Sequence, residues 1–327
     1  MANSVDYDLH GLAGIRLVDP APQDVAGVDR HLGLLRRPLQ RDPDVVIRFM
    51  DALPADGDVR LLGIGEAGYG DDAFLVLQGR HKARARLQIP FDRLGGPCEL
   101  LSERGAGSVP LLVPIVNLTV LAHGVLPLHA SAFMLNGTGV VVTGWSKGGK
   151  TEALLGAMRR GARFVGDEWV YVEPATGWVG GLPEPMRLWD WHLRQLPDVR
   201  RRVTRGDRAR LRALAALRTT ARNGRAGSLV RRQMHVDAAP AQLFGGQAIE
   251  LSGRLDRLVL VTSWERPEIV ARSIEPAEVA DRMATSLRYE RARLLAAYEQ
   301  FRYAFPGRVN RVLEGAPEQE ERLLHQA

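Results

Sequence analysis

The segment Gly144-Trp-Ser-Lys-Gly-Gly149-Lys150-Thr151 decides how the rest of this chain is read. It follows Gly139-Val-Val-Val-Thr143, a β-branched run of the kind that forms a buried strand. It leads into Thr151 to Gly161, where Ala153, Leu154, Ala157 and Met158 fall on one helical face and Gly161 is placed to stop the helix. Strand, glycine loop and helix in that order predict an α/β core. The loop matches a glycine, four residues, then Gly-Lys-Ser/Thr, a pattern in which each position serves phosphate binding. Glycines let backbone N–H groups turn inward around an anion with no Cβ in the way, and the following helix presents its positive end to the same charge. The residues expected to cradle a nucleoside triphosphate, ATP, are therefore Gly144, Trp145, Ser146, Lys147, Gly148, Gly149, Lys150 and Thr151. Lys150 is placed to reach the β- and γ-phosphates, and the Thr151 hydroxyl to ligate the Mg2+ that bridges them. Trp145 reads first as a cover on the loop and second as a ring on which a base stacks.

Composition makes an accidental match improbable. With 34 glycines, three lysines and twenty Ser or Thr in 327 residues, the pattern is expected by chance roughly 0.002 times. Two of the three lysines, Lys147 and Lys150, lie in this loop, and the third is Lys82. The net charge of +6 therefore comes almost wholly from arginine. So general a preference for Arg looks like codon bias, and it makes the basic balance a poor argument for nucleic acid as a partner. A retained lysine is correspondingly informative, since a planar guanidinium does not replace a compact ammonium among phosphates.

Hydrophobic residues make up 45% of the chain, enough for a buried core in one large domain or two modest ones. The first twenty residues lack a cationic start followed by an apolar run, so no secretory signal is read there and the expected compartment is the cytoplasm. The longest apolar stretch, Val109 to Leu128, is broken by Pro110, Pro114, Asn117, His123 and Pro127, which argues against a membrane span. The single cysteine, Cys98, forms no internal disulfide and no metal cluster by itself, and reads as a small half-buried apolar residue.

Residues 1–110 alternate over Val59 to Ile64, Ala73 to Leu77 and Ala85 to Ile89, with turn clusters at Pro54 to Asp58 and Gly65 to Asp72. This predicts a β-rich amino-terminal portion with a helix near Val45 to Leu53. The core is expected over 111–315, with further strands at Arg163 to Val172 and Leu255 to Ser263 and a carboxy-terminal helix over Glu278 to Phe301. Within it, Arg187 to Arg232 holds fourteen arginines against Asp190, Asp198 and Asp207. That stretch reads as a helical insertion with a glycine-flanked joint at Asn223 to Gly227, and Arg225 in the joint is a candidate to close over phosphate. Residues 316–327 are expected to form a frayed tail.

At Leu128-His-Ala-Ser-Ala-Phe133, Gly144 to Thr151 and Arg163-Phe-Val-Gly-Asp167-Glu168, the sequence resembles the HPr serine kinase/phosphorylase family, within the clan of the phosphoenolpyruvate carboxykinases. The similarity rests on a histidine ahead of the strand that enters the loop and an acid pair on the strand after the loop's helix, and it covers residues 120–175. It implies a P-loop kinase core in which His129 helps organise the reacting phosphate and the base, Asp167 is the general base and Glu168 a carboxylate on the Mg2+ side. The family usually has two aspartates, so Glu168 departs from it. Its further acidic metal ligand is not recognisable here; Glu184 and Asp190 are candidates only, and the amino-terminal portion does not resemble the separate domain of the bifunctional enzymes.

The residues support the same reading of Asp167. Acids that follow the loop lysine after only one helix and a turn are placed earlier than in most phosphate-loop ATPases. Transfer of phosphate to a hydroxyl needs a carboxylate in reach of that hydroxyl. Neighbouring residues on a regular strand face opposite ways, so Asp167 and Glu168 both reach the site only if the backbone kinks, which Gly166 would permit. The expected activity is an ATP-dependent kinase whose acceptor is a serine of a peptide or protein, or a small-molecule alcohol. The alternatives are a nucleotide-binding regulatory or partner protein without catalysis, and, weakest, a carboxykinase, for which the additional lysine and histidine ligands are not found. The arginine-rich stretch reads as a solvated helical surface ahead of a dock for an acidic peptide.

Overall fold

A computed structural model describes residues 3–53, 58–78, 84–220 and 225–327 of the chain. Most of the turn at 54–58, Lys82 and the Asn223 end of the glycine-flanked joint lie outside the described residues.

Alternating burial organises the amino-terminal portion as an eight-stranded sheet. Its strands are β1 (Ser4–Leu9), β2 (Ala13–Val18), β3 (Val45–Met50), β4 (Arg60–Leu62), β5 (Ala67–Tyr69), β6 (Phe74–Gln78), β7 (Arg84–Gln88) and β8 (Cys98–Glu103), in the order β1-β2-β3-β8-β7-β6-β5-β4. Helix α1 (Pro22–Leu32) carries the chain from β2 to its parallel neighbour β3. The helix expected near Val45 to Leu53 is instead β3. There Val45, Ile47 and Phe49 are buried while Val46, Arg48 and Met50 are half-exposed, a period of two, and the β-branched Val-Val-Ile run suits a strand. Burial pushes the Cys98 thiol up to about 12, with the Asp44 carboxylate adding to it, in keeping with an apolar role.

The second half is built around β9 (Leu126–Leu135), eight of whose ten residues are buried. The apolar helix α2 (Leu112–Ala122) precedes it, and β10 (Thr138–Thr143) pairs with it antiparallel. After α3 (Lys150–Met158) come β11 (Arg163–Gly166), β12 (Trp169–Glu173) and β13 (Trp178–Gly181). The single strand expected over Arg163 to Val172 is thus two, broken at Asp167 and Glu168, and both pieces pair with β9. Strand β14 (Met186–Trp189) pairs with β15 (His235–Ala238), and the arginine-rich residues between them form α4 (Asp190–Gln195), α5 (Pro197–Arg202), α6 (Arg205–Thr220) and α7 (Arg225–Gln233). Helix α8 (Pro240–Phe244), β16 (Ser252–Arg254) and β17 (Arg257–Leu260) follow, and β17 lies parallel to β10. The second sheet runs β16-β13-β12-β9-β10-β17, with β11 beside β9. The protein is accordingly a mixed α/β fold with several sheets.

Helix α9 (Pro276–Ala304) is followed by α10 (Arg311–Glu314) and α11 (Ala316–Leu324). The frayed tail expected for 316–327 is corrected by α11, whose Ala316, Glu320 and Leu323 lie on one buried face. The carboxylate of Glu320 meets the guanidinium of Arg291 on α9, both buried. Two cores result. The larger joins the eight-stranded sheet to α2, β9 and the buried face of α9, including Met283 and Leu287. The smaller joins Leu154, Leu155 and Ala157 of α3 to β14, β15 and the inserted helices. No helix among the described residues is long and apolar enough to cross a membrane.

Where β11 ends against β13 the backbones touch. A Cβ on Gly181 would sit 2.1 Å from the Val165 carbonyl oxygen and 2.6 Å from the Gly166 Cα. Gly181→Ala is therefore expected to lower stability by about 1–3 kcal/mol. Gly246→Ala, whose Cβ meets nothing within 4 Å, serves as the neutral control. Urea unfolding measures both, and equal midpoints would contradict the close packing.

Candidate functional site

The chain leaves β10 at Thr143 and turns through Gly144 (φ +149°), Lys147 (φ +63°) and Gly149 (φ +110°) into α3. Gly144 is required by space as well as by conformation, because a Cβ there would lie 2.5 Å from the Val261 carbonyl oxygen at the end of the neighbouring β17. The loop is closed by the Gly148 N–H, which donates to the Trp145 carbonyl at 3.0 Å, and by Ser263 Oγ, which donates to the Gly148 carbonyl at 3.2 Å. Lys150 is buried and its Nζ donates to the carbonyls of Gly144 and Trp145, each at 3.1 Å. Burial holds the Lys150 ammonium below its usual range, opposed by the carboxylates of Glu168, Glu290, Asp167 and Glu152. Trp145 packs on Tyr289 of α9 with ring centroids 5.0 Å apart, both rings remaining exposed.

Beneath the loop lies the polar group that the break between β11 and β12 creates. Glu168 sits at φ +70°, a conformation rare for a side chain of its size, and the turn so made separates the directions of the two acids. Gly166 does not supply the kink; its missing Cβ makes room for Val170 and Gly181, whose atoms would lie 2.8 and 2.9 Å away. Asp167, only 2% exposed, accepts a short hydrogen bond from Ser131 Oγ and lies 3.1 and 3.3 Å from the Thr151 hydroxyl. Burial first, and the Glu168 charge second, push the Asp167 carboxyl up to about 7 against the pull of the Ser131 and Thr151 hydroxyls.

Glu168 turns the other way, its Oε2 2.9 Å from His129 Nε2. His129 Nδ1 lies 2.8 Å from Glu290 Oε1 of α9, an ionic contact off the hydrogen-bond direction. Burial would lower the His129 pKa, but the two carboxylates outweigh it and hold the imidazolium at about 9. Burial likewise would raise Glu168, and the charges of His129, Lys150 and Arg187 hold it below the usual range. The site thus gathers a lysine that burial holds below its usual range, an imidazole that two carboxylates keep protonated and a carboxyl that burial raises toward neutrality.

Of the residues singled out in the sequence, the structure brings together Lys150, Thr151, Asp167, Glu168 and His129 about the glycine loop. It brings Thr151 to Asp167, whereas Glu168, expected on the Mg2+ side, is paired with His129. Glu184 pairs with His31 of α1, and Asp190 with Arg194 within α4. Arg225 begins α7. Sequence reasoning passed over Ser131, Glu290 and Tyr289. The signal for Ser131 was present, since residues two apart on β9 share a face with His129; nothing local marks Glu290, which arrives on a helix far along the chain.

The donor set suits a triphosphate and its metal. Backbone N–H groups of the loop, the start of α3 and Lys150 would take the phosphates, and the Thr151 and Asp167 oxygens suit Mg2+. Among the described residues no group of three or more His, Cys, Asp or Glu is arranged to hold a metal. Mg2+ would therefore take few protein oxygens, the Thr151 hydroxyl first, and complete its shell with phosphate and water, as it usually does.

No family model matches the chain, and no curated protein matches it. Among solved structures it is similar to the HPr(Ser) kinase/phosphatase from Coxiella burnetii, at 14% identity and a TM-score of 0.20 over 54% of this chain and 97% of that one. A likeness of that size carries no weight for fold or function.

The Asp167 shift has a sign that unfolding can read. Between an ordinary 3.8 and about 7 the folded chain holds a proton that the unfolded chain releases, so this group lowers stability as pH rises through that window. Asp167→Asn is expected to be more stable than the wild type at pH 8 by on the order of 1–3 kcal/mol and to converge with it near pH 4. Urea midpoints across pH test this, and parallel curves would show that Asp167 is ionised in the folded protein throughout.

Proposed function

We propose that the protein is an ATP-dependent phosphotransferase acting on a hydroxyl, carried by a serine of a peptide or protein or by a small-molecule alcohol. The observation that carries this reading is the buried Asp167 carboxylate, poised near neutral pH and bonded to Thr151 at the first turn of the helix that follows the glycine loop. A group with a pKa close to working pH is effective in accepting a proton as a bond forms. Asp167 takes the acceptor's hydroxyl proton, the oxygen bonds to the γ-phosphorus, and the bond to the β-phosphate oxygen breaks to release ADP. Lys150 holds charge on the transferring group, while His129, clasped between Glu168 and Glu290, offsets part of the negative charge of those two acids beside the loop. Mg2+, when bound, neutralises the charge developing between the β- and γ-phosphates.

The Thr151 contact favours a second role for Asp167, as the acid beside the metal, and the alternative of a nucleotide-binding regulator without catalysis keeps the loop but not the transfer. Phosphate transfer from γ-labelled ATP into a pool of peptides and metabolites, set beside ATP and Mg2+ titrations, separates them. Lys150→Met is expected to abolish ATP binding in a folded protein, and normal ATP use by that variant would falsify the phosphate-loop assignment. Asp167→Asn is expected to reduce transfer by about 10² to 10⁴ with little change in ATP affinity, the size typical of a general base. Equal loss of Mg2+ binding and transfer would make it a metal-side residue, and no transfer by the wild type would leave a binding protein.

A further inference from the structure

The phosphate loop accounts for one end of α3; the other side of the same helix faces a cavity of about 410 Å3 that the phosphate chemistry does not use. Glu152, Leu155 and Gly156 line it from α3, Arg159 from the residue that caps that helix, and His192 and Leu196 from the start of the inserted helices. The four positions are spaced i, i+3, i+4 and i+7, which is one continuous face beginning at the residue after Thr151. A volume in this range is that of a small-molecule pocket.

We infer that this cavity receives the nucleoside end of the triphosphate, with Glu152 holding the ribose diol and the base lying over Gly156 between Leu155, Leu196 and Arg159. The inference rests on the nucleotide reading of the loop given above. Gly156 is six residues beyond Lys150, about 9 Å along the axis at the rise of an α-helix, a span that the nucleoside of a triphosphate gripped at Lys150 can bridge. The Gly156 position is open, with nothing within 4 Å of where a Cβ would stand, and it offers a flat floor for a ring. The Arg159 guanidinium is exposed at the rim, where it can lie over the face of a base.

The hydrogen bonding of Glu152 is set for a diol. The buried His192 accepts the Trp189 backbone N–H on Nδ1 at 3.1 Å, so its proton resides on Nε2, which donates to Glu152 Oε1 at 3.1 Å. That bond fixes the carboxylate and leaves Oε2 to accept from a ligand, and a fixed acidic acceptor is the usual partner of ribose hydroxyls in nucleotide sites. The exposed Trp145 and Tyr289 stack on each other on the α9 side and are left for the acceptor end of the reaction.

The test compares Mg-ATP, Mg-2′-deoxy-ATP and Mg-tripolyphosphate by calorimetry on the whole chain. The wild type is expected to bind ATP more tightly than either of the others. Gly156→Leu, which fills the cavity and suits a helix, is expected to weaken ATP about tenfold or more while leaving tripolyphosphate unchanged. Glu152→Gln is expected to reduce the preference for ATP over the 2′-deoxy form, since a site built to bond a hydroxyl is the one that rejects its absence. ATP affinity untouched by Gly156→Leu overturns the pocket while the loop reading stands. A wild type that binds neither ATP nor tripolyphosphate removes the loop reading, and the pocket with it.

Discussion

A carboxylate buried between two hydroxyls fixes the relation of the elements around the loop. Asp167 is reached by Ser131 from the central strand β9 and by Thr151 from the first turn of α3, so a single acid ties the sheet to the helix that follows the glycine loop. Burying such a group without partners would cost several kcal/mol, and the two hydroxyls lessen that cost without removing it. The remainder appears as the raised pKa, a carboxyl that gives up its proton only near neutrality.

This arrangement depends on a local distortion. On an unbroken strand the two neighbouring acids would point to opposite faces of the sheet, and a left-handed residue without a glycine costs about 1–3 kcal/mol. The distortion at Glu168 is held from both sides. Strand β11 pairs with one end of β9, β12 with the other, and the Glu168 carbonyl accepts the Ala130 N–H at 3.2 Å. The strain is thus fixed by the sheet around it and delivers Asp167 to the loop and Glu168 to His129.

Charge balance extends the site to the carboxy-terminal helices. An imidazolium as buried as His129 needs anions, and the second comes from Glu290 on α9, next to the Tyr289 that meets Trp145. Met283 of the same helix touches the Thr143 hydroxyl at the end of β10. Helix α9 is in turn held by α11 through the Arg291–Glu320 pair, where truncating either partner would strand a buried charge. The last residues of the chain therefore bear on the geometry around the loop.

Several of these features were determined by local sequence. The order of strand, glycine loop and helix follows from β-branched and helical periodicities within about twenty residues, and the expectation that the loop takes phosphate follows from residue types at fixed spacing. The same rule failed at Val45 to Leu53, where a six-residue period of two was read as helical, and at 316–327, where an amphipathic face has meaning only once α9 offers something to bury it against. Sequence also named Lys150 and Thr151 from the spacing of the loop, and His129, Asp167 and Glu168 from the resemblance to the HPr serine kinase/phosphorylase family, with the early placement of the acid pair supporting Asp167. Which acid meets which partner was decided by tertiary structure alone. The turn at Glu168 is stabilised by pairing with strands elsewhere in the chain, Ser131 matters only because Asp167 is folded over it, and Glu290 reaches His129 only through the packing of α9. Local periodicity sets where a side chain sits along its own element; only the packing of distant elements sets what it faces.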